Sequence, residues 1–265
     1  MIEIDGFRKS FGHGSKRVAA VDGISLRALP GRVFGLLGPN GAGKTTTLRA
    51  IATLLKPDGG HIRVAGHDVV AEPDAVRSRL GFLTGATGLY DRLTPAETLQ
   101  YFGRLQGMDE ERIARRTEEL ADLLEMRGFL HQRVGTCSTG QKQKTSIARA
   151  ALHEPQVIVL DEPTSGLDVI ASASVVAFIR RCAEEGRTVL FSTHILPEAE
   201  RLCRDLAFIH QGCIVEAGTL PNVEGALADW TAHSQRIKAG SLMPSASQLH
   251  EPQLRLVAGW LRSLQ

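Results

Sequence analysis

Residues 38–46 read GPNGAGKTT. The run fits G-x-x-x-x-G-K-[ST], a spacing that lets backbone N–H groups converge on phosphate oxygens. Its flanks decide how it is read. Before it, RVFGLL (32–37) is apolar and short, as a buried strand would be, and after it TTLRAIATLL (46–55) carries apolar residues at helical spacing until KPDGG (56–60) stops the helix. A glycine turn between a strand and a helix aims the helix N-terminus, with its positive dipole end, at any anion seated there. Gly38, Pro39, Asn40, Gly41, Ala42 and Gly43 would form the turn, and Thr46 would follow it into the helix. Lys44 would bridge the β- and γ-phosphates of a nucleotide, and the Thr45 hydroxyl would join a Mg²⁺ shell. The plainer alternative, a glycine-rich turn with an incidental lysine, leaves both flanks unexplained.

The rest of the chain is consistent with an α/β protein built around that unit. At 265 residues it can bury a substantial core, and a formal charge of +2 gives no sign of a nucleic-acid or anionic-membrane partner. Cys137, Cys182, Cys203 and Cys213 lack metal-ligand spacing, so free thiols in a reducing compartment are expected. No stretch approaches the roughly 20 apolar residues of a membrane span, nor does the start resemble a leader. Strand-like alternation occupies MIEIDGF, GISLRAL and RVFGLLG. From Pro73 to about Leu130 apolar residues recur at three and four spacing, with Thr94 and Asp109 as N-caps, which predicts an all-helical block. Strands return at QVIVLDEP, RTVLFSTH and LAFIHQG, the first two separated by the helical VIASASVVAFIRRCAEE, as in a parallel sheet with crossover helices.

A phosphate loop alone does not separate kinases, GTPases and transport ATPases. VIVLDEP is more selective, because it ends a buried strand in two acids. Asp161 could reach a Mg²⁺ shell and Glu162 could polarise an attacking water. As isolated residues they would be read as caps of the next turn.

Together, GPNGAGKTT, STGQKQK (138–144), LDEPTSGLD (160–168) and STH (192–194) resemble, in this order, the nucleotide-binding subunit of an ATP-binding cassette (ABC) transporter. The likeness covers about residues 1–222. It implies a P-loop NTPase of ABC type, with a mixed or parallel sheet core, an N-terminal antiparallel β subdomain and an inserted helical subdomain at about 73–150. Residues 223–265 would be a C-terminal extension, and LRLVAGWLRSL within it reads as a short amphipathic helix. The resemblance also assigns roles. Ser138, Thr139, Gly140 and Gln141 match the signature that faces the γ-phosphate of ATP held by the opposing subunit. Phe11 matches the aromatic that stacks on adenine, Asp168 a loop between the two ATP sites, and His194 the histidine that contacts the γ-phosphate and orients water.

Two positions depart from the pattern. Thr139 stands where glycine is usual, so phosphate contact would suffer if that position needs φ > 0. Gly85 stands where a Mg²⁺- and water-contacting glutamine is usual, leaving Thr84 and Thr87 as weak substitutes. FLTGATGLYDRLT and STGQKQK together resemble the sodium-export, NatA-like branch. The resemblance implies ATP and Mg²⁺ as cofactors, a second copy or homologous ATPase subunit, and a membrane-spanning permease that holds the chain at the cytoplasmic face of the membrane. Its substrate would be sodium ion, a drug or another solute, chosen mainly by the permease. A soluble regulatory or repair ATPase is the alternative, although such relatives usually join two cassettes or insert long coiled coils.

Overall fold

The structure, a computed structural model, describes residues 1–85 and 88–219. Two sheets organise the chain. β1 (Ile2–Phe11), β2 (Val18–Ala28), β4 (Gly59–Val64) and β5 (His67–Asp68) form an antiparallel sheet in the order β2-β1-β4-β5. β3 (Arg32–Leu37), β6 (Leu80–Leu83), β7 (Val157–Asp161), β8 (Thr188–Thr193), β9 (Asp205–His210) and β10 (Cys213–Thr219) form the second, in the order β10-β9-β3-β8-β7-β6. Only the β9–β10 pairing in it is antiparallel.

Alternation along the central strands explains why both faces are covered. Val157 and Val159 of β7 join a cluster with Ile4, Phe7 and Ile24 of the antiparallel sheet and with Leu48 and Ile51 of α1 (Lys44–Ile51). Ile158 and Leu160 point the other way, into a cluster with Leu120 of α4 (Glu110–Leu123), Ile147 of α5 (Thr139–Ala151) and Val175 of α6 (Val169–Glu184). Leu48 and Ile51 are fully buried, each worth about 1.5–3 kcal/mol. Lys44 lies one turn before Leu48 on the same helical face, so this burial sets where its side chain points.

The remaining helices are α2 (Pro73–Arg77), α3 (Pro95–Leu105) and α7 (Leu196–Leu202). Both expected caps are present. The Thr94 hydroxyl accepts from Glu97 N–H and the Glu97 carboxylate from Thr94 N–H, while Asp109 accepts from Arg112 N–H at 2.7 Å. The block after Pro73 is nevertheless not all-helical. Leu80–Leu83 forms β6, parallel to β7 at the sheet edge. A four-residue apolar run is too short to show a period, and its strand character comes from the pairing with β7. All four cysteines are free, and burial pushes the Cys182 thiol up to about 11. Among the described residues no helix is long and apolar enough to cross a membrane. The helix read at LRLVAGWLRSL lies outside the described residues.

Candidate functional site

The phosphate loop is held in one conformation by contacts that tolerate no side chain. Gly43, the residue before α1, has φ +109°, and a Cβ there would lie 2.6 Å from the Ala20 carbonyl oxygen. A Cβ on Gly38 would collide with the Ile209 carbonyl. The glycines thus let β2 and β9 crowd the turn. Inside it, buried Lys44 donates through Nζ to the carbonyls of Gly38 at 2.6 Å and Pro39 at 3.2 Å. Burial lowers the ammonium pKa, while Glu162 and Asp161 oppose that shift.

The acids at the end of β7 meet this loop. Thr45 Oγ1 donates to Asp161 Oδ2 at 2.9 Å, and Ser192 Oγ, on the intervening strand β8, donates to Asp161 Oδ1 at 2.5 Å. Both oxygens of the Thr45–Asp161 pair are hard ligands, which suits Mg²⁺. Among the described residues no group of three or more His, Cys, Asp or Glu could cage a metal alone, so the fit is to an ion that takes its other ligands from water and phosphate.

Glu162 has φ +48°, uncommon for a residue with a side chain, and its N–H is fixed by the Ser192 carbonyl at 3.1 Å and the Ser192 hydroxyl at 3.2 Å. Its Oε1 lies 3.6 Å from Lys44 Nζ and 3.1 Å from His194 Nδ1. Lys44, Thr45, Asp161, Glu162 and His194, drawn from α1, β7 and the end of β8, therefore form one contact network. Ser192 was missed as a site residue in the sequence. Its signal was available in STH, where side-chain alternation places it beside the acids on the neighbouring strand.

The signature residues lie in a separate cluster. Ser138 caps α5 in a reciprocal box: its hydroxyl accepts from Gln141 N–H at 3.3 Å, and Gln141 Oε1 accepts from Ser138 N–H at 2.8 Å. Ser138, Thr139, Gly140, Gln141 and Asp168 line a cavity of about 520 Å³. Asp168 itself caps α6, accepting from Ala171 N–H at 2.7 Å. Thr139 is the first residue of α5 and is not among the positive-φ residues, so the feared backbone conflict does not arise. Gln143 Nε2 donates to the Pro163 carbonyl at 2.9 Å and ties α5 to the residue after Glu162.

Phe11, at the end of β1, is 47% exposed and so lies outside the core, and Lys9 Nζ lies 5.9 Å from its ring centroid. Gly85 is exposed in a turn, Thr84 is buried, and Thr87 lies outside the described residues.

A phosphate loop braced by an acid-tipped parallel strand, beside an antiparallel sheet and a helical block carrying a capped serine, defines an ATP-binding cassette. Comparison with known proteins agrees. The family model for the ABC transporter matches residues 21–165. The ABC transporter ATP-binding protein NatA of Bacillus subtilis (strain 168) is 45% identical over 224 residues, covering 84% of this chain and 91% of NatA. The daunorubicin/doxorubicin resistance ATP-binding protein DrrA of Streptomyces peucetius is 39% identical over 226 residues, covering 85% of this chain and 67% of DrrA. A solved ATP binding subunit of an ABC transporter superposes with a TM-score of 0.78 at 26% identity, covering 98% of this chain and 99% of its own. A dimeric bacterial ABC transporter cassette gives 0.76 at 25% identity, with 83% and 99% covered. The chain belongs to the ABC transporter family, as an ATP-binding, ATP-hydrolysing subunit that resembles NatA.

Proposed function

We propose that two such subunits, this chain with a second copy or a homologous ATPase subunit, close around two ATP molecules and drive export through a separate membrane-spanning permease. The observation that carries the reading is the convergence of Lys44, Glu162 and His194 beside the Thr45–Asp161 pair. In the ATP complex Lys44 exchanges its bonds to the Gly38 and Pro39 carbonyls for phosphate oxygens, which also relieves its desolvation. The loop amides and the N-terminus of α1 bind the β-phosphate, and Phe11 stacks on adenine. Mg²⁺, when bound, neutralises charge on the phosphates, and Thr45 and Asp161 would hold it. Glu162 accepts a proton from the attacking water, with His194 orienting that water against the γ-phosphate.

ATP bound to one subunit is closed from the opposite side by Ser138, Thr139, Gly140 and Gln141 of the other. The amides of Thr139 and Gly140 belong to the first helical turn, where a helix leaves N–H groups without an intrahelical partner. Cleavage of the γ-phosphate removes that contact and the pair reopens. Asp168 lines the same cavity as the signature, which supports the reading that it links one ATP site to the other. In this reading residues 1–222 are the ATP-binding domain, the helical subdomain begins after β6 rather than at residue 73 and runs to about 150, and the chain sits at the cytoplasmic face of the membrane through the permease. The motif resemblance to the sodium-export branch favours sodium ion as cargo, and likeness to DrrA, a daunorubicin/doxorubicin resistance protein, favours a drug.

The test is Glu162→Gln at saturating Mg-ATP, followed by light scattering. Hydrolysis should stop and an ATP-bound dimer should accumulate, whereas a monomer alone under these conditions would count against the mechanism. Co-purification of the tagged chain with a multi-span protein from detergent-solubilised native membranes would test the permease.

A further inference from the structure

Glu162 and His194 lie on segments that leave adjacent ends of the sheet, so some contact beyond the strands must fix their separation. Two buried hydroxyls flank them. Thr164 follows Glu162 by two residues, and Thr193 immediately precedes His194. Both donate to one carboxylate: Thr164 Oγ1 to Glu198 Oε1 at 2.7 Å, and Thr193 Oγ1 to Glu198 Oε2 at 2.8 Å. Glu198 stands in the first turn of α7, with its N–H bonded to the Ile195 carbonyl at 3.2 Å. Thr193 Oγ1 also accepts from Ile195 N–H at 3.0 Å, so its hydroxyl hydrogen is directed at Glu198. Ser192 anchors the chain at Glu162 itself, and Glu198 anchors it two residues later.

We propose that Glu198 is a positioning residue for hydrolysis, a two-pronged clamp that sets Glu162 and His194 at their 3.1 Å spacing. The proposal rests on the roles given above to those two residues. The clamp also reaches the turn leading to Asp168, since Ser165 N–H bonds the Glu162 carbonyl and Leu167 N–H the Thr164 carbonyl. Bonds from a charged acceptor to two buried hydroxyls are strong and directional, which suits a part that must keep its geometry while nucleotide enters and leaves. Its loss should therefore appear in turnover more than in nucleotide affinity, because Glu198 touches neither the phosphate loop nor Phe11 in the contacts described.

The experiment measures phosphate release by the full chain with Mg-ATP. Glu198→Ala should lower kcat about 10- to 100-fold, as a misplaced catalytic pair does, with KM for ATP within about twofold of the parent. Glu198→Gln should recover most of the rate, since its amide oxygen can accept from Thr193 and its amide nitrogen can donate to the Thr164 hydroxyl. Thr164→Val and Thr193→Val remove one prong each, should give smaller losses, and decide the matter if Glu198→Ala does not fold. A parent-like kcat in Glu198→Ala, or in both valine variants, would overturn the clamp. So would equal losses in Glu198→Ala and Glu198→Gln with KM rising in step, the mark of a generally damaged site. Glu162→Gln separates the two levels of inference. Inactive Glu162→Gln beside unaffected Glu198→Ala removes the clamp alone, whereas parent-like Glu162→Gln removes the reading on which it rests.

Discussion

The phosphate loop and the N-terminus of α5 are both helix starts suited to phosphate, yet they are built in opposite ways. The first is enclosed. Its lysine is buried against loop carbonyls, its threonine is bonded to Asp161, and Glu162 and His194 stand within contact distance of one another. The second is open. Ser138 and Thr139 are exposed, and the serine is occupied with its own helix cap. In the proposed reading one chain thus carries a hydrolytic half and, apart from it, a capped surface that closes another such half. The contrast teaches that similar local chemistry can be set up in two ways: strain and burial hold Glu162 in one place, whereas the capped start of α5 is a surface stable in water on its own.

Substitutions that attack this contrast should show graded effects. Lys44→Ala should be the most severe. With its phosphate-bridging cation gone, phosphate release should fall by on the order of 10²–10³-fold or more, and turnover at the parent rate would break the assignment of the loop. Gly43→Ala comes next, because a methyl group at φ +109° would press on the Ala20 carbonyl. Thermal or denaturant unfolding should reveal a loss of about 1–3 kcal/mol, together with weaker nucleotide binding. Ser138→Ala sharpens the comparison at the other helix. Loss of the cap should cost about 0.5–2 kcal/mol, and ATP-driven dimerisation should weaken while nucleotide binding by the isolated subunit persists. Thr139→Gly should do least. Since the residue already has an ordinary helical conformation, dimerisation should not tighten, and stability should fall by about 0.5–1 kcal/mol from the added backbone freedom. A marked tightening would show that closure does demand an unusual conformation there.

Much of the contact network around Lys44 was legible in the sequence, because spacing carries most of its information. Gly38 to Thr45 needs only a strand before it and a helix after it, and VIVLDEP puts acids where a central strand ends. Caps at Thr94 and Asp109 were readable for the same local reason. β6 was not, since LGFL acquires its strand character by pairing with β7, which follows more than seventy residues later. Ser192 and Glu198 escaped as well. Ser192 could have been read from the alternation in STH once β8 is set beside β7, whereas a glutamate in a short helix has no distinguishing pattern until the fold brings it to Thr164 and Thr193.

By itself the sequence determined the class of chemistry and pointed to the residues proposed to carry it, because glycine spacing, terminal acids and helix caps act over a few residues through backbone sterics and local hydrogen bonds. Tertiary structure alone decided which of those residues meet. Parallel pairing of β3, β8 and β7 brings Thr45, Ser192 and Asp161 together from distant parts of the chain, and places the Ser138 helix in a second cluster with Asp168. The concern over Thr139 is removed locally, since φ at the first turn of a helix is set by where the helix begins, and the cap at Ser138 fixes that beginning.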